Sequence, residues 1–287
     1  MAAHPDCDVL VSTDWVRERL DEIRDPAPDV RAVEVDLDTS SYAMNHIPGA
    51  VGWNWETDLC DGRRRDLASP ADFERLLGES GIDEDTTVVL YGDNNNWFAA
   101  YAFWQLEYMG HEDVLLMNGG RKKWALEDGA FTQADPAVEP QTYAGAEPDE
   151  SIRAYRPDVE AIVESGDVPM IDVRSPEEFT GEVIAPPEMD ETAQRGGHIP
   201  GATNVPWASA VEEDGTFKSR EALREIYERE TGIDPAEPVV TYCRIGERSS
   251  HTWFVLTYLL GHEDVRNYDG SWTEWGNLIG APIETGE

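Results

Sequence analysis

The sequence predicts an α/β protein built from two similar domains, each a mostly parallel sheet with helices on both faces. Three observations lead to this fold class. The chain has 287 residues, a length that suits two domains of roughly 100–200 residues each. A five-residue segment occurs twice, and short β-branched segments alternate with helical ones in both halves. Such alternation is typical of parallel sheets covered by helices.

The repeat extends over a whole domain. The segment His46-Ile-Pro-Gly-Ala recurs as His198-Ile-Pro-Gly-Ala, an offset of 198 − 46 = 152 residues. The segment Gly110-His-Glu-Asp-Val recurs as Gly261-His-Glu-Asp-Val, an offset of 261 − 110 = 151. Two unrelated segments displaced by nearly the same distance indicate a duplicated domain, because solenoid repeats have periods of only about 20–50 residues.

The predicted elements follow the same order in both copies. Strands are short and rich in β-branched residues, and each long helix is followed by a glycine suited to a C-terminal cap. The predicted strands cover residues 31–36, 87–91 and 114–118 in the first copy and 168–173, 238–242 and 265–269 in the second, and the predicted helices cover Trp97 to Met109 and Ser250 to Leu260.

A segment without periodicity separates the copies. Residues 134–150 are rich in Pro, Ala and Glu, a composition that favours an extended linker. We therefore predict an N-terminal domain over residues 1–135, a linker over 136–152 and a C-terminal domain over 153–287. Counted from Asp36 and Asp172 to the repeated histidines, the second copy has about 26 − 10 = 16 extra residues near 181–196, a candidate functional loop.

The charge of the chain narrows the classes of partner. It contains 22 Lys and Arg against 59 Asp and Glu, so the net charge is 22 − 59 = −37. Nucleic acid and anionic membranes are not expected as partners, because binding them requires a basic surface. The excess of carboxylates predicts adaptation to a salt-rich cytosol, where at ~1 M salt the Debye length is about 3 Å and self-repulsion is screened.

Cysteine usage and the amino terminus predict a cytoplasmic protein. The three cysteines, Cys7, Cys60 and Cys243, form no CxxC pair, which suits a reducing compartment. The first residues show no secretion signal, and no apolar run approaches the ~18 residues of a membrane helix. We also expect no bound cofactor or metal, since no metal-ligand spacing, phosphate-binding glycine loop or dinucleotide motif is present.

Comparison of the two copies separates residues that the fold requires from residues that a function requires. The second predicted strand ends in Tyr242-Cys243-Arg244 in the second copy and in Tyr91-Gly92-Asp93 in the first. The first copy therefore lacks both the thiol and the cation at this junction. We expect the first domain to be catalytically silent and Cys243 to be the nucleophile of the second.

The segment after Cys243 suits an anionic sulfur. A helix that begins just after a strand directs unpaired N–H groups and the equivalent of about half a positive charge toward the strand end. Arg244 and Arg248 add two cations, so a lowered pKa and a reactive thiolate are expected for Cys243. Gly246 is expected to adopt a positive φ and Ser249 to cap the helix. The alternative is an ordinary buried cysteine with arginines that balance local acid.

Together these motifs resemble the tandem-domain rhodanese family, and in particular its thiosulfate sulfurtransferases. The resemblance rests on Cys-Arg-Ile-Gly-Glu-Arg-Ser at residues 243–249, the two His-Ile-Pro-Gly-Ala segments, and Asp-Val-Arg-Ser-Pro-Glu-Glu-Phe at 172–179. It implies two rhodanese-like domains. It also implies that Cys243 takes the outer sulfur of thiosulfate as a persulfide, releases sulfite, and passes the sulfur to a thiophilic acceptor such as cyanide or a thiol.

The resemblance also implies roles for the surrounding residues. Arg244 and Arg248 would bind the sulfonate, and Asp172 would accept hydrogen bonds from the loop. Family members carry an arginine six positions after this aspartate, where this chain has Glu178, so we expect Arg195 in the inserted loop to supply the missing cation. The backbone N–H groups expected to surround the persulfide are those of Arg244, Ile245, Gly246, Glu247, Arg248 and Ser249.

Several functions remain open at this stage. Relatives that use mercaptopyruvate have small neutral residues after the cysteine, so Arg244 favours thiosulfate. Phosphatases and arsenate reductases resemble this loop but place five residues between cysteine and arginine, whereas only four separate Cys243 from Arg248. A non-catalytic scaffold or a persulfide relay acting with a sulfur-acceptor protein is the alternative of a different class. Cyanide, a small thiol and a protein are all open as acceptor.

The net charge leads to a prediction about salt. An anionic donor is repelled by a protein of charge −37 until salt screens the interaction. The apparent affinity for thiosulfate, measured as KM, should therefore improve as KCl is raised from low concentrations within the range where the protein is folded. A KM that is flat or worsens over this range would contradict the prediction.

Overall fold

The computed structural model describes His4 and residues 7–185 and 193–286. It divides the chain into two compact units. The N-terminal unit consists of Pro5–Asp149 and Glu212–Phe217, and the C-terminal unit of Met1–His4, Glu150–Val211 and Lys218–Glu287. The main division, after Asp149, falls inside the segment that the sequence predicts to be a linker. Of the inserted segment, residues 186–192 lie outside the described residues, as do several of the first residues considered for a signal.

The N-terminal unit contains a parallel sheet with helices around it. The elements of this unit are β1 (Leu10–Val11), α1 (Thr13–Glu18), α2 (Leu20–Ile23), β2 (Val30–Asp36), α3 (Ser40–Met44), β3 (Val51–Asn54), α4 (Trp55–Asp58), β4 (Cys60–Asp61), β5 (Asp66–Leu67), α5 (Pro70–Glu79), β6 (Thr87–Tyr91), α6 (Trp97–Tyr108), β7 (Val114–Met117) and α7 (Gly120–Leu126). Five strands form the sheet in the order β1-β7-β6-β2-β3, with all neighbouring strands parallel. Strands β4 and β5 form a separate antiparallel pair.

The C-terminal unit contains a second, four-stranded parallel sheet. The elements of this unit are α8 (Arg156–Ser165), β8 (Met170–Asp172), α9 (Pro176–Thr180), β9 (Ala202–Asn204), α10 (Arg220–Arg224), β10 (Val239–Tyr242), α11 (Glu247–Phe254), β11 (Val265–Tyr268) and α12 (Ser271–Trp275). The strand order is β11-β10-β8-β9. Helices α10 and α11 each continue into a π-helical turn, over Glu225–Arg229 and Val255–Leu260.

These parallel sheets flanked by helices confirm the predicted fold class. All seven residues of β2 and all four of β10 are buried, as expected for strands covered on both faces. Each unit has its own apolar core. Trp124 lies in the first core and Trp272 and Trp275 in the second, all at most 1% exposed.

Strand register shows which acidic residues correspond between the copies. Glu34 pairs with Tyr91, whereas Asp172 pairs with Tyr242. Each tyrosine hydroxyl accepts a hydrogen bond from the isoleucine of the repeated segment, at 3.1 Å in both units. Glu34, not Asp36, is therefore the counterpart of Asp172. Counted from this pair, the insertion in the second copy is 26 − 12 = 14 residues, two fewer than the sequence comparison suggested.

Both units neutralise this acid with an arginine, but from different elements. In the N-terminal unit, Arg121 of α7 donates from Nη1 to both carboxylate oxygens of Glu34 at 2.8 and 3.0 Å. In the C-terminal unit, Arg174 lies two residues after the end of β8 and donates from Nε to both carboxylate oxygens of Asp172 at 2.9 and 3.1 Å. Both Asp172 and Arg174 are fully buried. Each charge is stabilised because its partner is in direct contact with it.

Among the described residues, no helix is both long and apolar enough to cross a lipid bilayer.

The buried pair leads to a prediction for Arg174→Gln. Removing the guanidinium leaves Asp172 as an uncompensated buried carboxylate, which typically costs about 3–5 kcal/mol. The free energy of unfolding, measured by urea titration in molar KCl, should fall by about that amount. The matched control is Arg229→Gln, because Arg229 forms ion pairs with Glu225 and Glu221 but its side chain is 56% exposed. Equal effects of the two substitutions would contradict this account.

Candidate active site at Cys243

Cys243 lies in a short buried turn between β10 and α11. Strand β10 ends at Tyr242 and α11 begins at Glu247, three residues earlier than the sequence suggested. Gly246 precedes the helix with φ +106, as expected for a tight turn. A Cβ at this position would lie 2.9 Å from Cβ of Asp269 and 3.0 Å from its Cα. Only glycine fits here, because both the backbone conformation and the available space exclude a side chain.

Gly246, Glu247 and Ser271 each place a polar group near the sulfur of Cys243. The N–H of Gly246 donates to Sγ at 3.1 Å, and the thiol donates to Oε2 of Glu247 at 3.4 Å. The hydroxyl oxygen of Ser271 lies 4.0 Å from Sγ. Cys243 itself has no exposed surface. The sulfur therefore lies at the start of a helix, with the N–H of Gly246 as a donor and the carboxylate of Glu247 as its acceptor.

Ser271 is a site residue that the sequence analysis missed. Its Oγ accepts a hydrogen bond from the N–H of Cys243 at 3.0 Å and donates one to the carbonyl of Tyr268 at 2.7 Å. Its φ is +52, a conformation that disfavours residues other than glycine, and Gly120 has φ +55 at the equivalent turn of the first copy. Comparing this turn between the copies, as was done for Cys243, would have identified it.

Ser249 does not cap the helix as predicted. It lies in the first turn of α11, where its Oγ donates to Oδ1 of Asn267 at 2.7 Å and lies 3.0 Å from the carbonyl of Gly246. Asn267 also donates from Nδ2 to the hydroxyl of Ser250 at 2.9 Å. Gly246 occupies the N-cap position instead. The hydroxyls of Ser249 and Ser250 both lie against the carbonyl of Gly246, and Asn267 of β11 contacts both serines.

The environment raises the pKa of Cys243, contrary to the expectation of a lowered pKa. Burial is the main cause, and the negative charge of Glu247 adds to it. Arg248 and hydrogen bonds from Ser249 act in the opposite direction but do not prevail. The sequence shows the cations near Cys243, but it does not show the loss of water around the sulfur, and burial penalises the charged form.

The charge of Arg248 is offset by Glu178, the residue that stands in place of the family's arginine. The guanidinium donates to both oxygens of Glu178, at 2.9 and 3.1 Å, and its Nε lies 3.5 Å from Oε1 of Glu247. Although burial acts the other way, the contact with Arg248 lowers the pKa of Glu178. Arg244 is also buried, at 3% exposure. The two arginines are thus accompanied by two buried carboxylates.

Asp172 and Arg195, the two predicted residues outside the loop, make other contacts. Asp172 holds Arg174, as described above. Arg195 donates to four backbone carbonyls, those of Trp275, Gly276, Leu278 and Ala281, at 2.7 to 3.1 Å. Its donors therefore stabilise the C-terminal segment. This differs from the expectation that Arg195 supplies a cation for the substrate.

The equivalent junction of the N-terminal unit has no room for a side chain at the position that corresponds to Cys243. A Cβ on Gly92 would lie 2.4 Å from the carbonyl oxygen of Val35. The next residues, Asn94, Asn95 and Asn96, have positive φ values of 50, 54 and 69. This junction therefore follows a different path from the turn at Cys243 and could not present a thiol in the same way.

Among the described residues, no three His, Cys, Asp or Glu side chains are grouped so that they could hold a metal ion. The chemistry that the site offers lies in the thiol, the backbone donor and the carboxylate beside it.

A family model matches this chain twice. The model for the rhodanese-like domain covers residues 12–127 and again residues 156–278, so both copies match.

Curated proteins of similar sequence match along almost the whole chain. A protein of Haloferax volcanii, provisionally named a thiosulfate sulfurtransferase, is 58% identical over 97% of both chains. A protein of Mycobacterium tuberculosis with the same provisional name is 54% identical, covering 98% of this chain and 99% of its own. The sulfur carrier protein TtuD of Thermus thermophilus is 55% identical over 99% of both chains.

Solved structures also resemble this chain. The wild-type structure of EanB superposes with a TM-score of 0.83 at 27% identity, covering 97% of this chain and 69% of that one. The anaerobic ergothioneine biosynthesis enzyme of Chlorobium limicola, in complex with trimethyl histidine, gives a TM-score of 0.84 at 27% identity and covers 97% and 70%.

The contacts of Arg195 lead to a prediction for Arg195→Gln. The substitution removes the guanidinium and leaves several backbone carbonyls without their donor, so the free energy of unfolding should fall by about 3 kcal/mol. The KM for thiosulfate should remain unchanged, because the side chain is engaged elsewhere. Urea titration and steady-state kinetics test both parts, with Arg156→Gln as a control on a half-exposed surface pair. A raised KM for thiosulfate with an unchanged free energy of unfolding would instead support a role of Arg195 in binding the substrate.

Proposed function

Because this chain belongs to the rhodanese family, we propose that it is a thiosulfate sulfurtransferase that transfers sulfane sulfur through a persulfide on Cys243. The observation that carries the proposal is the position of Sγ at the start of α11, 3.1 Å from the N–H of Gly246. Helix starts with inward-facing N–H groups stabilise anionic sulfur. The names of the relatives support sulfur transfer as the general activity.

The proposed reaction has two steps. Sγ attacks the outer sulfur of thiosulfate, the bond between the two sulfurs of the donor breaks, and its electron pair leaves with sulfite. A thiophilic acceptor, either cyanide or a thiol, then removes the outer sulfur and restores Cys243. The persulfide anion would be stabilised by the N–H of Gly246 and the other backbone donors of residues 244–249, with the start of the helix supplying positive potential.

Thiosulfate is proposed as the donor on two grounds. Arg244 and Arg248 are the cations closest in sequence to the nucleophile, and a guanidinium suits an oxyanion well. Two relatives above 50% identity are provisionally named for thiosulfate. Mercaptopyruvate is the alternative donor, and the two donors can be compared directly by their kcat/KM values.

The N-terminal unit is proposed to be catalytically silent. The close approach of Val35 to Gly92 supports this, since a cysteine at residue 92 would collide with a backbone carbonyl. The cytoplasm is proposed as the compartment, on the cysteine usage described above.

A persulfide relay is the second candidate function. One observation favours it: Arg248 is neutralised by Glu178, which leaves less net positive charge for a doubly charged donor than the sequence implied. The name of the Thermus relative, a sulfur carrier protein, points the same way. In that case the physiological acceptor would be a protein, and small acceptors would be used slowly.

Substitution of the nucleophile tests the proposed function. Cys243→Ser should abolish release of sulfite and thiocyanate from thiosulfate and cyanide, because a serine hydroxyl cannot form a persulfide. Cys60→Ser serves as the matched control and should retain the native rate. A higher kcat/KM for mercaptopyruvate than for thiosulfate would identify mercaptopyruvate as the donor. Undiminished transfer by Cys243→Ser would refute the role of the cysteine.

A further inference from the structure

The thiol of Cys243 must lose a proton before it can attack, and the structure offers a specific acceptor. The sulfur is fully buried, and its hydrogen bond is directed to Oε2 of Glu247 at 3.4 Å. We infer that Glu247 is a catalytic residue that takes the thiol proton of Cys243 and holds it while the persulfide exists. This inference rests on the proposed sulfur transfer and adds a residue to its chemistry.

The geometry places Glu247 where this role requires it. Cys243 and Glu247 lie four residues apart, across the turn that Gly246 makes possible, and Glu247 is only 1% exposed. Its second oxygen, Oε1, has no hydrogen-bond partner among the described residues. Nε of Arg248 lies 3.5 Å from this oxygen. The carboxylate is therefore held beside the thiol and retains capacity to accept a proton.

Proton transfer within this pair keeps the charge of the buried site constant. Before the reaction the thiol is neutral and Glu247 carries one negative charge. Once the proton has moved and the persulfide has formed, the sulfur carries the charge and Glu247 is neutral. Two adjacent anions in a buried site are strongly unfavourable. Internal transfer avoids that state without requiring a water molecule to reach the sulfur.

Each step of the cycle balances. Glu247 takes the proton from Sγ, the resulting thiolate forms a bond to the outer sulfur of thiosulfate, and sulfite leaves with the electron pair of the broken bond. When cyanide attacks the outer sulfur of the persulfide, the electron pair of the sulfur–sulfur bond returns to Sγ and thiocyanate is released. The proton on Glu247 then returns to Sγ. No other oxidant, reductant or proton source is required.

Other features of the site agree with this role. Burial and the charge of Glu247 together raise the pKa of Cys243, so the resting site favours the thiol. Burial also lowers the pKa of His251 to about 3, so that ring remains neutral at ordinary pH. Among the described residues, the charged groups that face the pair include Arg248, which contacts both Glu247 and Glu178 of α9, and Asp269 after β11, which packs against Gly246. Arg244 and His251, in the loop and in α11, are buried as well.

The experiment measures single-turnover sulfite release by the full chain as a function of pH for the native protein, Glu247→Gln and Glu247→Asp. The glutamine variant retains the shape of the side chain but cannot accept a proton. Its rate should fall by about 100-fold at about pH 6.5, within the range of a lost acid–base group. Its rate should recover toward the native rate as the pH is raised to about 9.5, because solvent hydroxide can then remove the proton.

The other outcomes would overturn the inference. An unchanged or faster rate of Glu247→Gln at about pH 6.5 would mean that Glu247 only raises the thiol pKa. An equal loss at both pH values would mean that Glu247 has only a structural role. Glu247→Asp retains a carboxylate and should keep the native pH profile at a reduced rate, so a shifted profile would contradict the role. Glu177→Gln, an exposed carboxylate one residue before Glu178, is the control and should match the native protein.

A donor-free measurement separates this inference from the proposed function. Alkylation of Cys243 by iodoacetamide, a neutral reagent, also requires the thiolate, so Glu247→Gln should show the same alkaline shift in its alkylation rate. If the native protein released no sulfite but showed this shift on substitution, the proposed donor would be refuted and the proton transfer retained. If sulfite were released and the shift were absent from both assays, the proton transfer to Glu247 would be refuted and thiosulfate would be retained as the donor.

Discussion

The contact between Gly246 and the backbone of Asp269 determines the geometry of the candidate site. Because no side chain fits at Gly246, the chain can turn sharply after β10, and the helix begins at once with Glu247. The same turn brings a backbone N–H to 3.1 Å and a carboxylate oxygen to 3.4 Å from Sγ of Cys243. Ser249, Ser250 and Asn267 tie the turn to the neighbouring strand. A looser turn would separate the thiol from both groups.

The second consequence of this turn is burial, which changes the electrostatics of the site. A thiol beside two arginines in water would ionise easily, whereas here burial raises the pKa of Cys243. Burying an arginine without a partner is strongly unfavourable, and the contact between Glu178 and Arg248 offsets part of this cost for one of them. The site therefore holds nearly balanced charges, and a reaction in it is easiest when the proton of the thiol stays inside.

The duplication shows how one scaffold supports two different junctions. Both units keep a parallel sheet, a buried acid against a tyrosine on the next strand, and an arginine for that acid. The arginine comes from α7 in one unit and from two residues after the end of β8 in the other. At the junction after the tyrosine, the carbonyl of Val35 leaves no space for a side chain at Gly92. In the other unit, the turn at the same junction surrounds the sulfur of Cys243. The scaffold is shared, and the chemistry depends on a few residues at one edge of the sheet.

The sequence by itself determined the fold class, the duplication and the position of six strands, because these depend on local periodicity and on a repeat that is visible in the letters. Strand β6 covers the predicted residues 87–91, and β2, β7, β8, β10 and β11 begin and end within two residues of the prediction, whereas the short strands β1, β3, β4, β5 and β9 were not predicted. The sequence also identified Cys243, because the first copy has Gly92 at the corresponding position and so served as a control. The tertiary structure alone decided the contacts: Arg195 binds four backbone carbonyls, Ser271 supports Cys243 from 28 residues away, and Glu178 neutralises Arg248 across 70 residues. Burial and charge pairing arise only when distant segments meet, and no local pattern records which segments those are.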